Sequence, residues 1–399
     1  MLTLDKVYHA AFVLKNTVRR TDLIYSPVLS DGYELYLKTE NLQLTGSFKL
    51  RGSAYKISQL TSEEKSRGVI ACSAGNHAQG VALAAQREGI RATICLPDGA
   101  PISKVEATKS YGADVVLVPG VYDDAYNRAL ELQQEQGSVF IHPFNDEDVI
   151  AGQGTIGLEL LDQLPDLDAV IVPIGGGGLI SGIAFTVKAL NPNCKVYGVQ
   201  AAGAPSMVES LREHKPIELS DVATIADGIA VKHPGDLTYE LVNQYVDEVV
   251  TVTDDEISSA ILALMETQKM VTEGAGAVSV AAAMFHKVDI RGKKVACVLS
   301  GGNIDVTILS RVITRGLLKA GRVANMTIAL ADKPGQLTQV SGIISRLGGN
   351  VVSVHHDRGE ENTAVTSCVL HLSLETRDHA HVDEIRDALK TAGFHIVAG

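Results

Sequence analysis

Short apolar runs alternate with amphipathic stretches along most of the chain. GVIACSA (68–74), ATICLP (92–97), DVVLVPG (114–120) and SVFIHPF (138–144) have the length and composition of buried strands. Between them, NHAQGVALAAQREG, PISKVEATKSYG and YDDAYNRALELQQEQG carry helical spacing and close on glycine, which tolerates the left-handed end of a helix. A second series follows: DAVIVPIG (168–175), KVYGVQAA (195–202), DEVVTVT (247–253) and KKVACVLSGG (294–302), again separated mostly by helices. Near-continuous apolar strands with helical crossovers predict parallel sheets covered on both faces. The fold class is therefore α/β, with two lobes and ligands at the carboxyl ends of strands.

After about residue 322 the pattern changes. ANMTIALADKPGQLTQVSGIISRLGGNVVSVHHDRG reads strand, helix, strand, and so does TAVTSCVLHLSLETRDHAHVDEIRDALKTAGFHIVA. This predicts one βαββαβ, ferredoxin-like unit at 323–399, joined by a short linker, TRGLLKAGR (314–322). At the other end, MLTLDKVYHAAFVLKNTVRR predicts an amphipathic helix; it mixes acid with base and lacks the apolar core of a signal peptide.

Composition narrows the class. A chain of 399 residues is too long for one core, so two or three domains are expected. Net charge of −12 argues against nucleic acid polymers or anionic membranes as main partners. No apolar run approaches the roughly 18 residues of a spanning helix. The five cysteines, Cys72, Cys95, Cys194, Cys297 and Cys368, form no C-x-x-C pair and read as buried thiols of a cytoplasmic protein.

Several segments carry chemistry. PIGGGGLISGIA (173–184) follows a strand and opens a helix. Gly175, Gly176, Gly177 and Gly178 leave main-chain N–H groups unobstructed there, a nest suited to phosphate, whereas a plain connection needs one or two glycines. No Lys-Ser/Thr follows, so it is not a P-loop. GQGTIG (152–157) matches a dinucleotide fingerprint by letter only: polar NDEDVIA precedes it instead of a strand, and no acid stands about 20 residues on. Its glycines read instead as letting the start of a helix, TIGLELLDQL, approach a neighbour. In SAGNHAQGVA (73–82), Ser73, Gly75 and Asn76 offer donors suited to a carboxylate or a ring oxygen. Asn76 reads equally as a plain N-cap, and His77 as a packed structural histidine. Ser300, in LSGGNID (299–305), ends a strand or simply forms a turn. His355, His356, His379 and His381 have no cysteine at ligand spacing and read as surface residues, so no metal is expected. No G-x-S-x-G elbow anchors hydrolase chemistry.

That leaves Lys49 in NLQLTGSFKLRG (41–52), between Phe48 and Leu50. A desolvated lysine has a lowered pKa and forms Schiff bases with carbonyl compounds. An amine, a phosphate nest and polar groups at strand ends together fit a cofactor bearing both aldehyde and phosphate: pyridoxal 5'-phosphate. Gly46 and Gly52 read as room for the backbone to pass close to it.

Taken in order, TGSFKLRGS, SAGNHAQG, GQGTIG, GGGGLISG, IADG (225–228), TEGAGA (272–277) and SGGNID resemble fold-type II pyridoxal phosphate enzymes, and among them the threonine/serine ammonia-lyase family. The resemblance covers roughly 1–320 and implies a small lobe, about 45–145, inserted in a large one. DKPGQL (332–337) and the βαββαβ pattern make the tail resemble an ACT regulatory domain. The resemblance implies that Lys49 carries the cofactor and removes the substrate's Cα proton, with Phe48 against the ring. It assigns the phosphate to Gly175, Gly176, Gly177, Gly178 and Leu179, the ring hydroxyl to Asn76, and the pyridine nitrogen to Ser300. The substrate carboxylate goes to Ser73, Ala74, Gly75, Asn76 and His77, with Gly228 lining the site. The implied reaction is β-elimination of L-threonine or L-serine to a 2-oxo acid and ammonia. A neutral hydroxyl at Ser300 favours that outcome over transamination. An effector site is implied at Asp332, Gly335, Leu337 and Asn350, for an amino acid such as isoleucine, in a biosynthetic role, or for a nucleotide. A homodimer or homotetramer is expected. Two departures stand out: Ala74 replaces the second serine of related racemases, and Gln200 replaces a glutamate of their divalent-metal site. A serine-preferring dehydratase and an inert amino-acid sensor are the alternatives.

Overall fold

Among the described residues of the first 305, ten strands build two sheets: β1 (Leu23–Tyr25), β2 (Glu34–Lys38), β3 (Val69–Cys72), β4 (Ala92–Pro97), β5 (Asp114–Val118), β6 (Val139–Phe140), β7 (Ala169–Pro173), β8 (Lys195–Ala201), β9 (Glu248–Val252) and β10 (Lys294–Val298). They are seen in a computed structural model that describes residues 1–100, 102–358 and 366–398. Pro101 of one expected helix, Gly359 of an expected strand and 363–365 of the next lie outside the described residues. The smaller sheet is all parallel, ordered β5-β4-β3-β6. The larger is ordered β1-β2-β10-β7-β8-β9 and is parallel except for the β1–β2 edge pair. Residues of the small sheet thus interrupt the large one, as an inserted lobe does.

Both strand series form where the sequence reading placed them, although β6 is only two residues long and neither β5 nor β6 holds a fully buried residue; helices of the first series end on left-handed glycines such as Gly89 (φ +68°) and Gly137 (φ +65°). The short pair β1–β2 has no counterpart in it. GQGTIG lies inside a helix, Glu147–Gln163, that begins earlier than expected: Asp146 caps it, its side chain accepting from Asp148 and Val149 N–H. NDEDVIA is therefore mostly the first turns of that helix, not a loop. The glycines do allow close approach. A Cβ at Gly152 would stand 2.7 Å from Gly52 Cα, and one at Gly182 would stand 2.6 Å from Gly154 N. Gly52 is thus a helix-crossing residue, since a Cβ there would meet Gln153 Nε2 at 2.4 Å, rather than room for a cofactor.

A buried charge cluster braces the helix Lys49–Ser58. Arg51 donates to Glu40 at 2.7 Å and to Glu159 at 2.7 Å, and Lys38 donates to Glu159 at 2.6 Å. Burial alone would raise the Glu40 carboxyl pKa, but the Arg51 charge and hydrogen bonds outweigh it and hold it below its ordinary value. Two positive and two negative side chains cancel, which makes the burial of Lys38, Glu40 and Arg51 beside the half-buried Glu159 tolerable.

Contacts divide the chain into Met1–Asp305 and Val306–Gly399. The expected linker 314–322 is not one: it is helical to Lys319 within Val306–Lys319. The second unit carries β11 (Val323–Ala331), β12 (Asn350–Asp357), β13 (Ser367–Glu375) and β14 (His395–Ala398), an antiparallel sheet ordered β12-β13-β11-β14. Helices Gln336–Arg346 and His379–Thr391 complete the βαββαβ order, and Met326, Ile328, Ile344, Leu370 and Ile385 form its own core.

Candidate active site

Several remote segments meet at the carboxyl ends of parallel strands. β2 and β10 run side by side, and the pairing continues past them: Phe48 N–H donates to Ser300 O at 3.1 Å and Gly302 N–H to Gly46 O at 2.8 Å. Gly46 is left-handed (φ +71°), and a Cβ there would strike Asn303 Oδ1 at 2.3 Å. This stitch starts the helix at Lys49 and sets Lys49 beside the end of β10.

Lys49 is deep in the protein but partly open to the cleft. Its Nζ donates to Pro143 O at 3.0 Å and stands 5.3 Å from the Phe48 ring centre. Burial lowers its pKa to about 8, with the Glu273 charge acting against that shift. A useful fraction is therefore neutral near physiological pH.

The tetraglycine lies between β7 and the helix Gly178–Leu190. Gly177 is left-handed (φ +97°) at the N-cap, and no side chain caps the helix. A Cβ at Gly176 would be 2.4 Å from the Phe144 ring, one at Gly178 2.8 Å from Phe144 Cβ, and one at Gly177 2.8 Å from Thr238 Cβ. At Gly175 a Cβ would be 3.1 Å from Ile229 Cα. Side chains are excluded here, and first-turn N–H groups are exposed to an anion. These residues fit a phosphate group.

Ser300, 3 % exposed, follows β10 and donates its hydroxyl to Ala275 O at 3.2 Å. Ser73 Oγ accepts Gly75 N–H at 3.2 Å. Asn76 is not the N-cap of its helix; Gly75 is, and the Asn76 side chain bonds to Glu273 and Asn303 instead. His77 is 3 % exposed, and its Nε2–H donates to Ile141 O at 2.8 Å. Burial, with Lys49 nearby, lowers its pKa to about 3. Its side chain is thus packed and hydrogen-bonded within the protein rather than open to a substrate. Gly228 lies between the tetraglycine and Glu273: its O would be 3.5 Å from a Cβ on Gly175, and its own Cβ 3.4 Å from Glu273 Oε1.

Glu273, Asn303 and Phe144 are the residues that the sequence reading left without a role. Glu273 had a signal: it is the sole charged residue of MVTEGAGAVSVAAAMF (270–285). Gln200 accepts Met207 N–H at 2.9 Å and Val208 N–H at 3.0 Å. Its carbonyl thereby caps the next helix instead of offering a carboxylate to a cation.

In the second unit the structure separates the expected effector residues. Gly335 (φ +92°) opens Gln336–Arg346, and Arg358 holds Asp332 at 3.0 Å just beyond β11. Asn350 pairs across β13 with Glu375, opposite Val323 at the far end of β11, roughly 30 Å away along the strand. His381 is not a surface residue: it is 2 % exposed, donating to Leu347 O at 3.0 Å. Folding also brings Asp332, His356 and Cys368 ligand atoms within 4.8 Å of one another, a grouping invisible to spacing along the chain.

Residues 14–301 match the family model described as pyridoxal-phosphate dependent enzyme. The chain is 53 % identical over 398 residues to an L-threonine ammonia-lyase of Thermotoga maritima, covering 99 % of both chains. Among solved structures it resembles the processed threonine deaminase isoform 2 of Solanum lycopersicum (40 % identity, TM-score 0.74, 78 % of this chain and 94 % of that one). It also resembles maize serine racemase (38 % identity, TM-score 0.75, 80 % and 98 %). With the Lys49 amine, the glycine cradle and Ser300 arranged as described, the chain belongs to the pyridoxal-phosphate dependent enzyme family.

Proposed function

We propose that this protein is an L-threonine ammonia-lyase that also accepts L-serine, converting them to 2-oxobutanoate or pyruvate with release of ammonia. The observation that carries the reading is Lys49, an amine of lowered pKa placed directly after the Phe48–Ser300 backbone bond and held by Pro143 O, next to the Phe144 that packs on a side-chain-free glycine loop, in a chain similar end to end to an enzyme of that name. The bound cofactor supplies an electrophilic carbon for the substrate's amine and an electron sink for its Cα.

Everything else falls to the chain. Tetraglycine N–H groups and the start of Gly178–Leu190 would hold the phosphate, and Phe48 and Asn76 would orient the ring. The Ser300 hydroxyl would serve the pyridine nitrogen without adding charge, by turning its one proton away from Ala275 O. Main-chain groups of 73–77 take the substrate carboxylate. Lys49 Nζ accepts the Cα proton, a role its lowered pKa suits. Ala74 offers no acid or base on the opposite face, which favours elimination over racemisation.

The second unit is read as an ACT regulatory domain. Asp332 and Asn350 lie at opposite ends of one sheet, so a shared effector site requires a second copy of the chain, in keeping with a homodimer or homotetramer. No helix among the described residues is long and apolar enough to cross a membrane. The test is 2-oxo acid release from threonine and serine with and without isoleucine, valine and AMP. Turnover of neither substrate by cofactor-loaded protein would sink the catalytic reading. Indifference to all three effectors would sink the regulatory one.

A further inference from the structure

Glu273 stands at the N-cap position of the helix Gly274–Met284 but makes no capping hydrogen bond. Its side chain turns the other way. It is 4 % exposed, and Oε1 accepts from Asn76 Nδ2 at 2.7 Å. The opposite end of that amide is also engaged: Asn76 Oδ1 accepts from Asn303 Nδ2 at 2.8 Å, and Asn303 Nδ2 also donates to Thr45 O at 2.8 Å. Rotating the Asn76 amide by half a turn would set NH2 against NH2 and oxygen against carboxylate. Its orientation is therefore fixed from both sides, and one amide hydrogen remains for a third partner. The glycines around Glu273 make this geometry possible, since a Cβ on Gly301 would stand 2.3 Å from Oε1.

We propose that Glu273 is a positioning residue for the bound cofactor: its carboxylate fixes the Asn76 amide so that the remaining amide hydrogen is presented to the cofactor's ring oxygen. This rests on the reading of Asn76 as the ring-oxygen ligand in a pyridoxal phosphate site. The role differs from proton abstraction by Lys49, and nothing in the cofactor's phosphate or pyridine contacts requires it.

The charged groups facing Glu273 are Lys49, Asp227 from the 3-10 turn Asp227–Ile229, and Lys104 from the helix Ile102–Ser110; Lys104 and Asp227 are themselves paired at 2.6 Å. Burial raises the Glu273 pKa and Asp227 adds to it; Lys104, the Asn76 bond and Lys49 pull it back, leaving about 7. Its charge consequently changes near neutral pH, within electrostatic reach of the Lys49 amine. An ionised Glu273 favours a proton on that nitrogen, and a neutral one releases it.

The experiment uses holoenzyme without any amino acid, in wild-type, E273A and E273Q forms. Cofactor retention on dialysis and the visible absorption of bound cofactor are followed from pH 6 to 9. In E273A the cofactor dissociates at least about tenfold faster, as expected for a lost buried hydrogen bond. E273Q restores retention, because its amide oxygen accepts the Asn76 bond, but it loses the absorbance change centred near the wild-type's pH 7. Wild-type retention and titration in E273A, or failure of E273Q to restore retention, overturns the proposal. Should E273A not fold, E273Q decides: loss of the change near pH 7 supports the role, and its persistence overturns it. Because no substrate is present, the outcome is independent of which amino acid is turned over. A wild-type protein that binds no cofactor would instead overturn the functional reading itself.

Discussion

Lys49 titrates in a range where its reactivity is measurable. With the amine's pKa lowered to about 8, the neutral fraction grows as pH rises through that value. The rate at which cofactor-free protein captures pyridoxal phosphate, read by absorbance, is expected to climb from pH 7 to 9 and then level off. His77 and His142 act on stability. Burial lowers them to about 3 and about 4, so between those values and the ordinary 6.5 the unfolded chain binds more protons than the folded one. Stability should therefore fall as pH drops from 6.5 towards 4, and urea midpoints across that interval check it. At this scale the sequence exposes Lys49, because an amine flanked by Phe48 and Leu50 fits no ordinary face. It hides the Asn76–Glu273 bond, whose partners are 197 residues apart. In the sequence the Asn76 side chain reads equally as a cap and as a donor, and only the fold supplies Glu273 and Asn303 as its partners.

Between elements, the Arg51 cluster is the brace behind the lysine. Arg51→Met removes the cation that compensates Glu40, which is fully buried, and leaves Glu159 with Lys38 alone. Breaking such a pair costs roughly 3–5 kcal/mol, measurable as a lowered denaturant midpoint at unchanged m-value. Cofactor retention should weaken with it, since Lys49 opens the same helix. Sheets and crossovers were legible because continuous apolar strands and glycine-ended helices leave strong local patterns. The β1–β2 pair was not, as three and five residues carry too little periodicity. Helix Val306–Lys319 was missed in part because TRGLLKAGR holds two glycines that suggest a break; Gly316 instead lies buried within the helix. GQGTIG shows the converse. Context along the chain excluded a dinucleotide site, but only the fold shows that Gly152 faces Gly52.

As a whole molecule the protein has separate cores in Met1–Asp305 and Val306–Gly399. Calorimetry of the full chain is expected to resolve two transitions, with pyridoxal phosphate raising only the one that belongs to the first unit. A single transition moved as a block by the cofactor would mean that the units unfold together. The tail was legible as βαββαβ from alternation and turn residues. The separation of Asp332 from Asn350 was not, because register fixes which end of a sheet a residue occupies, and register is a property of pairing.

The stitch of residues 46–48 to 300–302 also has a consequence in time. Lys49 leaves the ribosome roughly 250 residues before Ser300, and at about 5–20 residues per second that is a delay of roughly 12–50 s. Through that interval a nascent chain has its reactive amine but not the strand end that seats it. Cofactor capture therefore waits until residues 300–302 have emerged, and the amine spends its first moments as an ordinary solvated lysine.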